Sequence, residues 1–467
     1  MFDCSHTRYD IQAKNTPDIR SLPNRFLVRI KRHRLAWLLM KELIQYWGKW
    51  KVVLSRPCMY GVFSGPLGGF APRENLCVGC LRCTTEHPEI VQIYHNEKRL
   101  ELGDSFFSPE NFENVCYEAR TGRVPVRGAG YRGPFGGTGW DGMWTDMSEI
   151  VRPTRDGIHG REYISTSVDI GAKPPYVPLD QHGNPLAHEP RILSIPLPVI
   201  FDAPAASVLS SPELIEALAV AAAATGTLAI IPANALHKLK LRSRNIVPLI
   251  SSEDPEAIRS LHSEPLMVEV AGPDQQLLAK AREHFPKSVI CTRLDYLDAV
   301  EIVRLVSSGQ HVLHLVANYH GQGRDGRFVL DAIRDTHNAL VKAGCREQAT
   351  VLGCGGIIAA EHVPKAIICG LDAVAIDSAL LAALQATFVG ECMERESACF
   401  ELPKEFHAKW AARRIVNLMA SWHDQLLEVL GAMGLREVRR LRGEVGRAMF
   451  QKDLEREAFS GIEGYVG

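Results

Sequence analysis

Three cysteines stand at two-residue spacing in "CVGCLRCTTEHP": Cys77, Cys80 and Cys83. A loop of that spacing turns successive thiolates toward one point, as the iron of an iron–sulfur cluster or a zinc ion requires. His87 and Pro88 follow, so an imidazole stands where a fourth cysteine would complete a C-x2-C-x2-C-x3-C-P run. In two-cluster proteins that fourth cysteine ligates the other cluster, and no second run exists here. The reading is one [4Fe-4S] cluster on Cys77, Cys80, Cys83 and a remote ligand. Cys116 leads the candidates for that ligand, with Cys58 and His87 as the others. Three thiolates and an imidazole around zinc are the alternative.

The chain that must position these thiols has 467 residues, 46% hydrophobic and 23% charged, which is globular and larger than one small domain. A formal net charge of −1 excludes a nucleic-acid binder that works by overall charge. The 12 cysteines form no disulfide-like framework, as in a reducing compartment. The N-terminus lacks a signal-peptide core and no apolar run is long enough to span a bilayer, so the expected location is cytoplasmic.

Five segments emerge. Residues 1–56 are a basic arm in which 25–51 reads as one helix. Its eight Lys or Arg face the single acid Glu42 and are interleaved with Trp37, Trp47 and Trp50. Such a helix lies on a membrane surface, or packs on its own domain or on a partner subunit. Residues 57–125 are a ferredoxin-like iron–sulfur segment. In it "EIVQIYHNEKRLELGD" reads as two strands around a turn, followed by a helix with Ser108 as N-cap and Pro109 at its first position. Residues 126–190 read as an irregular wrapping linker. Residues 191–400 alternate eight short apolar strands with helices: 197–201, 228–231, 246–250, 266–270, 288–291, 312–317, 350–352 and 373–376. That is the pattern of a (β/α)8 barrel. An open doubly wound sheet would show a Gly-rich turn after its first strand, where this chain has "DAPAAS". Residues 401–467 read as a helical extension.

Several phrases resemble the FMN-binding synthase domain of glutamate synthase and its smaller archaeal-type relatives. They are "MSEIVRPTRDGIHGREYISTSVDIG" (147–171), "AIRDTHNALVKAGCREQATVLGCGGI" (332–357), "VPKAIICGLDAVAIDSALLAAL" (363–384) and "NVCYEARTGRVPVRGAGYRG" (114–133). The resemblance implies FMN across the C-terminal mouth of the barrel. Its phosphate would lie on Gly355, Gly356 and Ser378, with Ala203, Ala205, Asn318, Gly321, Gly323 and Arg324 around the cofactor, and Arg293 and Glu269 lining the site. It further implies an oxidoreductase that takes electrons from a ferredoxin or reductase subunit, passes them through the cluster, and reduces a small imine-type substrate.

The departures are as informative. The family's S-G-G-T-G-A phrase is "NYHGQGRDG" (318–326), its flavin-facing lysine is Arg293, and its T-G-E-G-G loop is "PANAL". Asp377 stands where a small residue meets the phosphate, and a carboxylate there repels it. Cys392 and Cys399 are too few for the [3Fe-4S] site of the larger enzymes. These changes sustain a second reading, in which the barrel has lost catalysis and serves as a relay or scaffold in a redox complex.

Overall fold

A computed structural model describes residues 9–49, 58–125, 136–147, 163–173, 179–184, 191–239, 243–251, 264–295 and 299–463. Its strands are β1 (Phe26–Ile30), β2 (Val91–His95), β3 (Met143–Thr145), β4 (Val168–Gly171), β5 (Ile192–Ile195), β6 (Val199–Phe201), β7 (Ala229–Pro232), β8 (Ile246–Ile250), β9 (Met267–Ala271), β10 (Val289–Leu294), β11 (Val312–Val316), β12 (Thr350–Cys354), β13 (Ala373–Ile376), β14 (Thr387–Val389), β15 (Cys399–Glu401) and β16 (Ala448–Phe450). Strands β6 to β13 close a parallel eight-stranded barrel, and each of the eight segments read from the sequence supplies one of its strands.

The barrel forms because its strands are short apolar runs buried on both faces, with helices that cover them. All five residues of β11 and of β12 are buried. Helix Pro212–Thr225 starts where the Ser211 side chain accepts from the Leu214 N–H, with proline in its first turn, and stops at Gly226 with φ +69°. The long helix Ala408–Ala432 packs across it and across helix Pro109–Thr121. There the Trp422 indole donates to Glu118 at 3.0 Å. At the strand-start end, β4 and β5 form a hairpin, and the Thr350 hydroxyl donates to the Gly171 carbonyl at 3.0 Å. Arg346 and Arg442 both pair with Asp372 at that end, at 2.9 and 2.5 Å, and charge there serves stability rather than chemistry.

A smaller module lies ahead of the barrel. β1 pairs antiparallel with β2 over Val28, Val62, Phe63, Ile90 and Val91. Residues 25–51 are therefore not one helix. "FLVRI" is a strand that buries Phe26 and Val28, and the helix runs only over Arg32–Gln45. The strand's partner lies some sixty residues downstream, which no local period reveals. The expected hairpin after the cysteine run is also half right. β2 forms, but Glu97–Leu102 is a 3-10 helix, because Arg99 turns inward to Glu110 and Glu113 at 3.1 and 2.7 Å. Helix Pro109–Thr121 begins as read, with Ser108 accepting from the Asn111 N–H. Residues 14–18 run along helix Ala408–Ala432, tied by Asn417 to Lys14 and by the buried Arg414 to Asp18 at 2.8 Å. Among the described residues no helix is long and apolar enough to cross a membrane.

Candidate functional site

Cys58, Cys77, Cys80 and Cys83 line one cavity in the small module, walled by Val28, Val62, Phe63 and Ile93. The left-handed turns at Gly79 (φ +69°) and Leu81 (φ +61°) bend the chain back on itself. The Thr84 N–H donates to the Leu81 carbonyl at 3.1 Å, which holds this bend. A Cβ on Gly79 would lie 2.3 Å from the Phe26 ring, so only glycine fits between the loop and β1. Burial raises the Cys77 thiol, the Gly79 N–H offsets part of that, and nearby Cys58 and Cys80 raise it again. Burial and the same neighbouring thiols push Cys83 up to about 11. Cys77 and Cys83 therefore favour the thiol form until a cation binds them. Four cysteines around one cavity with apolar walls fit a [4Fe-4S] cluster.

Cys116 does not belong to this set. It lies buried in helix Pro109–Thr121, where its thiol donates to the Ala382 carbonyl at 3.3 Å and burial pushes it up to about 12. Cys58 takes the place expected for it, and His87 does not line the cavity. Sequence spacing could not choose between Cys58 and Cys116, because both are remote from the run and only the folded module decides which approaches it.

The second cluster of functional groups fills the C-terminal mouth of the barrel. Arg293 of β10 donates to both oxygens of Asp202, at 2.7 and 3.2 Å, and to Glu269 of β9 at 2.9 Å. Nδ1 of His314, on β11, lies 3.0 Å from the same Glu269 oxygen. Arg395 reaches in from the loop between β14 and β15. It bonds Asp377 at 2.8 Å, Asp202 at 3.3 Å, the Ala317 carbonyl at 2.7 Å and the Cys354 sulfur at 3.0 Å, with its guanidinium 4.7 Å above the Tyr319 ring. Burial would raise the Asp202 carboxyl, but Arg293 and Arg395 hold it far below the usual carboxylate range. Glu269 is held low against burial by His314 and Arg293.

Of these groups the sequence singled out Arg293, Glu269 and the carboxylate of Asp377, and the structure brings Arg293 and Glu269 together. Asp202, Cys354 and Asp377 stand at the ends of β6, β12 and β13, positions where barrel chemistry gathers, so their places were a readable signal. Arg395 gave none, since it lies in an irregular loop. Asp202, His314 and Cys354 offer ligand atoms within 4.8 Å of one another. Two guanidiniums already bond that group, so its charge does not suit a metal cation.

The chain can now be compared with known proteins. The family model described as a conserved region in glutamate synthase matches residues 318–436. An archaeal-type glutamate synthase (NADPH) of Dehalococcoides mccartyi is 24% identical over 438 residues, covering 79% of this chain and 86% of that protein. An archaeal glutamate synthase (NADPH) of Archaeoglobus fulgidus is 23% identical over 486 residues, covering 88% of this chain and 94% of that protein. The chain is thus similar to the glutamate synthase-related family over most of its length. Its barrel is the parallel eight-stranded (β/α)8 type. Among solved structures, mandelate oxidase with (S)-2-phenylpropionate is similar at a TM-score of 0.43 and 15% identity, over 65% of this chain and 86% of that one, a likeness on which nothing below rests.

The family resemblance implies FMN, and the phosphate end decides whether these residues fit it. Gly355 and Gly356 adopt the positive φ expected of a cofactor turn, at +122° and +68°. The turn is filled from within, however. The Gly355 carbonyl accepts from the Trp140 indole at 3.0 Å, and a Cβ at Gly355 would meet Ala317, Asn318 and Gly321 within 3.0 Å. The Ser378 N–H is taken by the Asp377 carboxylate. Ser378 Oγ is buried without a hydrogen-bond partner, the one sign of a missing ligand at this turn. Against it stands a carboxylate, held by Arg395, where a dianionic phosphate would lie.

The other expected contacts are likewise engaged. Ala203 donates its N–H to Asp202 and Ala205 is buried. Asn318 donates to Glu394, Gly321 packs against Phe328, and Gly323 closes a turn onto Arg327. Arg324 is exposed and pairs with Asp295 at 3.1 Å, away from the phosphate turn. An open cavity remains above the mouth, but Asp295, Asn318, Arg324, Glu394, Arg395 and Glu396 line it, and its cations already have acids. These residues do not fit FMN.

Proposed function

We propose that this chain is an iron–sulfur electron-relay subunit, in which a glutamate synthase-type barrel carries and orients a single-cluster module. The observation that carries this reading is the convergence of Cys58, Cys77, Cys80 and Cys83 on one cavity. When bound there, a [4Fe-4S] cluster supplies one-electron transfer. The protein's own residues do the rest. The four sulfurs would hold the iron, and Val28, Val62, Phe63 and Ile93 would keep water from them. The exposed Cys80 lies on the solvent side, which gives electrons a short route to a docked donor or acceptor protein.

Reduction of an imine-type substrate at the barrel would need FMN where Asp377 and Arg395 stand. The test is the anaerobically purified protein. The relay reading expects iron and inorganic sulfide in equal amounts, a broad visible absorption that bleaches on reduction, and no extractable flavin. Bound flavin in stoichiometric amount would restore the reductase reading. A colourless protein carrying zinc would remove both.

A further inference from the structure

The helix Arg32–Gln45 packs one side onto the cluster module, through Leu35 and Leu38. At 100° per residue, Trp37, Met40 and Ile44 fall together on the opposite side. They are 66%, 46% and 73% exposed. A contiguous exposed stripe of this kind marks a contact surface.

Charge identifies what it contacts. Between Lys31 and Lys49 the chain carries five Lys or Arg and one acid, Glu42, in a molecule whose formal net charge is −1. Lys41 follows the stripe along one flank, Arg34 beside it pairs with Glu89 at 2.6 Å, and Lys31 and Lys49 stand at the two ends of the segment. An aromatic and aliphatic stripe between basic flanks, on a helix too polar to span, is the pattern that lies in the plane of a membrane interface. A protein partner of matching acidity would leave Trp37 and Ile44 without an apolar bed unless it also offered a groove. The lipid boundary supplies both terms from one surface.

We propose that this helix seats the cluster module on an anionic lipid surface, with Trp37, Met40 and Ile44 in the acyl boundary and the flanking cations on the headgroups. The proposal does not depend on which metal the four cysteines hold.

The test is cosedimentation of the full-length protein with vesicles of phosphatidylcholine alone or mixed with phosphatidylglycerol. Binding to the anionic vesicles with a blue shift of tryptophan emission is expected, falling as salt rises. Each of Lys31→Gln and Lys41→Gln should weaken it about fivefold. The double variant Trp37→Ser, Ile44→Ser should abolish it, with an unchanged circular dichroism spectrum and unchanged iron content to show an intact fold. Equal binding to neutral vesicles, or none to either, overturns the proposal. The second result would turn the surface over to an acidic protein partner.

Discussion

The closed barrel mouth makes a quantitative claim that one substitution tests. Arg395→Met keeps a stem of similar volume against Tyr319 and removes the guanidinium. Asp202 then still has Arg293 on both oxygens. Asp377, with a side chain 3% exposed, keeps only the Ser378 N–H and loses its ion pair. Removing one partner of a buried pair leaves an uncompensated charge and costs about 3–5 kcal/mol. The same change in an exposed ion pair would cost about 0–1 kcal/mol. Urea unfolding followed by tryptophan fluorescence separates the two, provided the barrel's own transition is resolved. Asp377→Asn should rescue part of the loss, because the amide still accepts from the Ser378 N–H and no longer needs a cation. The double-mutant cycle should show coupling above about 1 kcal/mol. Arg395→Met within about 1 kcal/mol of the parent, with no coupling to Asp377→Asn, would refute the view that these groups hold the mouth shut.

Three further outcomes follow from the same structure. Cys58→Ser should lower iron content and change the electron paramagnetic resonance spectrum of the reduced protein, while Cys116→Ser leaves both unaltered; the reverse pattern would return the fourth ligand to Cys116. Gly79→Ala should abolish cluster incorporation while the barrel's unfolding transition stays in place, because the added methyl meets the Phe26 ring and the residue needs φ +69°. Glu118 is pushed up to about 7 by burial, against hydrogen bonds from Trp422 and Gln425. It stays protonated in the folded state where the unfolded chain has already ionised, so its contribution is full below about pH 4 and is lost as pH rises through about 7. Over that range stability should fall by about 3 kcal/mol, and Glu118→Gln should flatten the slope seen in urea unfolding at a series of pH values.

The barrel was legible because its signal is local. Each strand is a short buried run and each helix carries its own start and stop, so alternation along the chain was enough to set the order of eight strands. The cysteine run was legible for the same reason, since its ligand spacing is a property of one loop. The resemblance in 332–384 pointed to the family whose proteins the chain matches, but it could not say whether the cofactor turn was still free. Gly355 and Gly356 keep the backbone that such a turn needs. What fills it is Trp140, more than two hundred residues earlier, and Arg395, eighteen residues beyond Asp377. Neither carries any mark of that role in sequence. The strand β1 was misread inside a helix for a related reason: its alternation is short, and its partner β2 lies across the whole cysteine segment.

Sequence by itself therefore determined the barrel, its strand order, the family resemblance and three of four thiols, because all of these are written in spacings within single elements. Only the tertiary structure decided that Cys58 rather than Cys116 completes the thiol set, and that Asp202, Asp377, Arg293 and Arg395 neutralise one another at the mouth. Both outcomes depend on which side chains meet across long stretches of chain, and charge pairing and burial act on those distances in space alone.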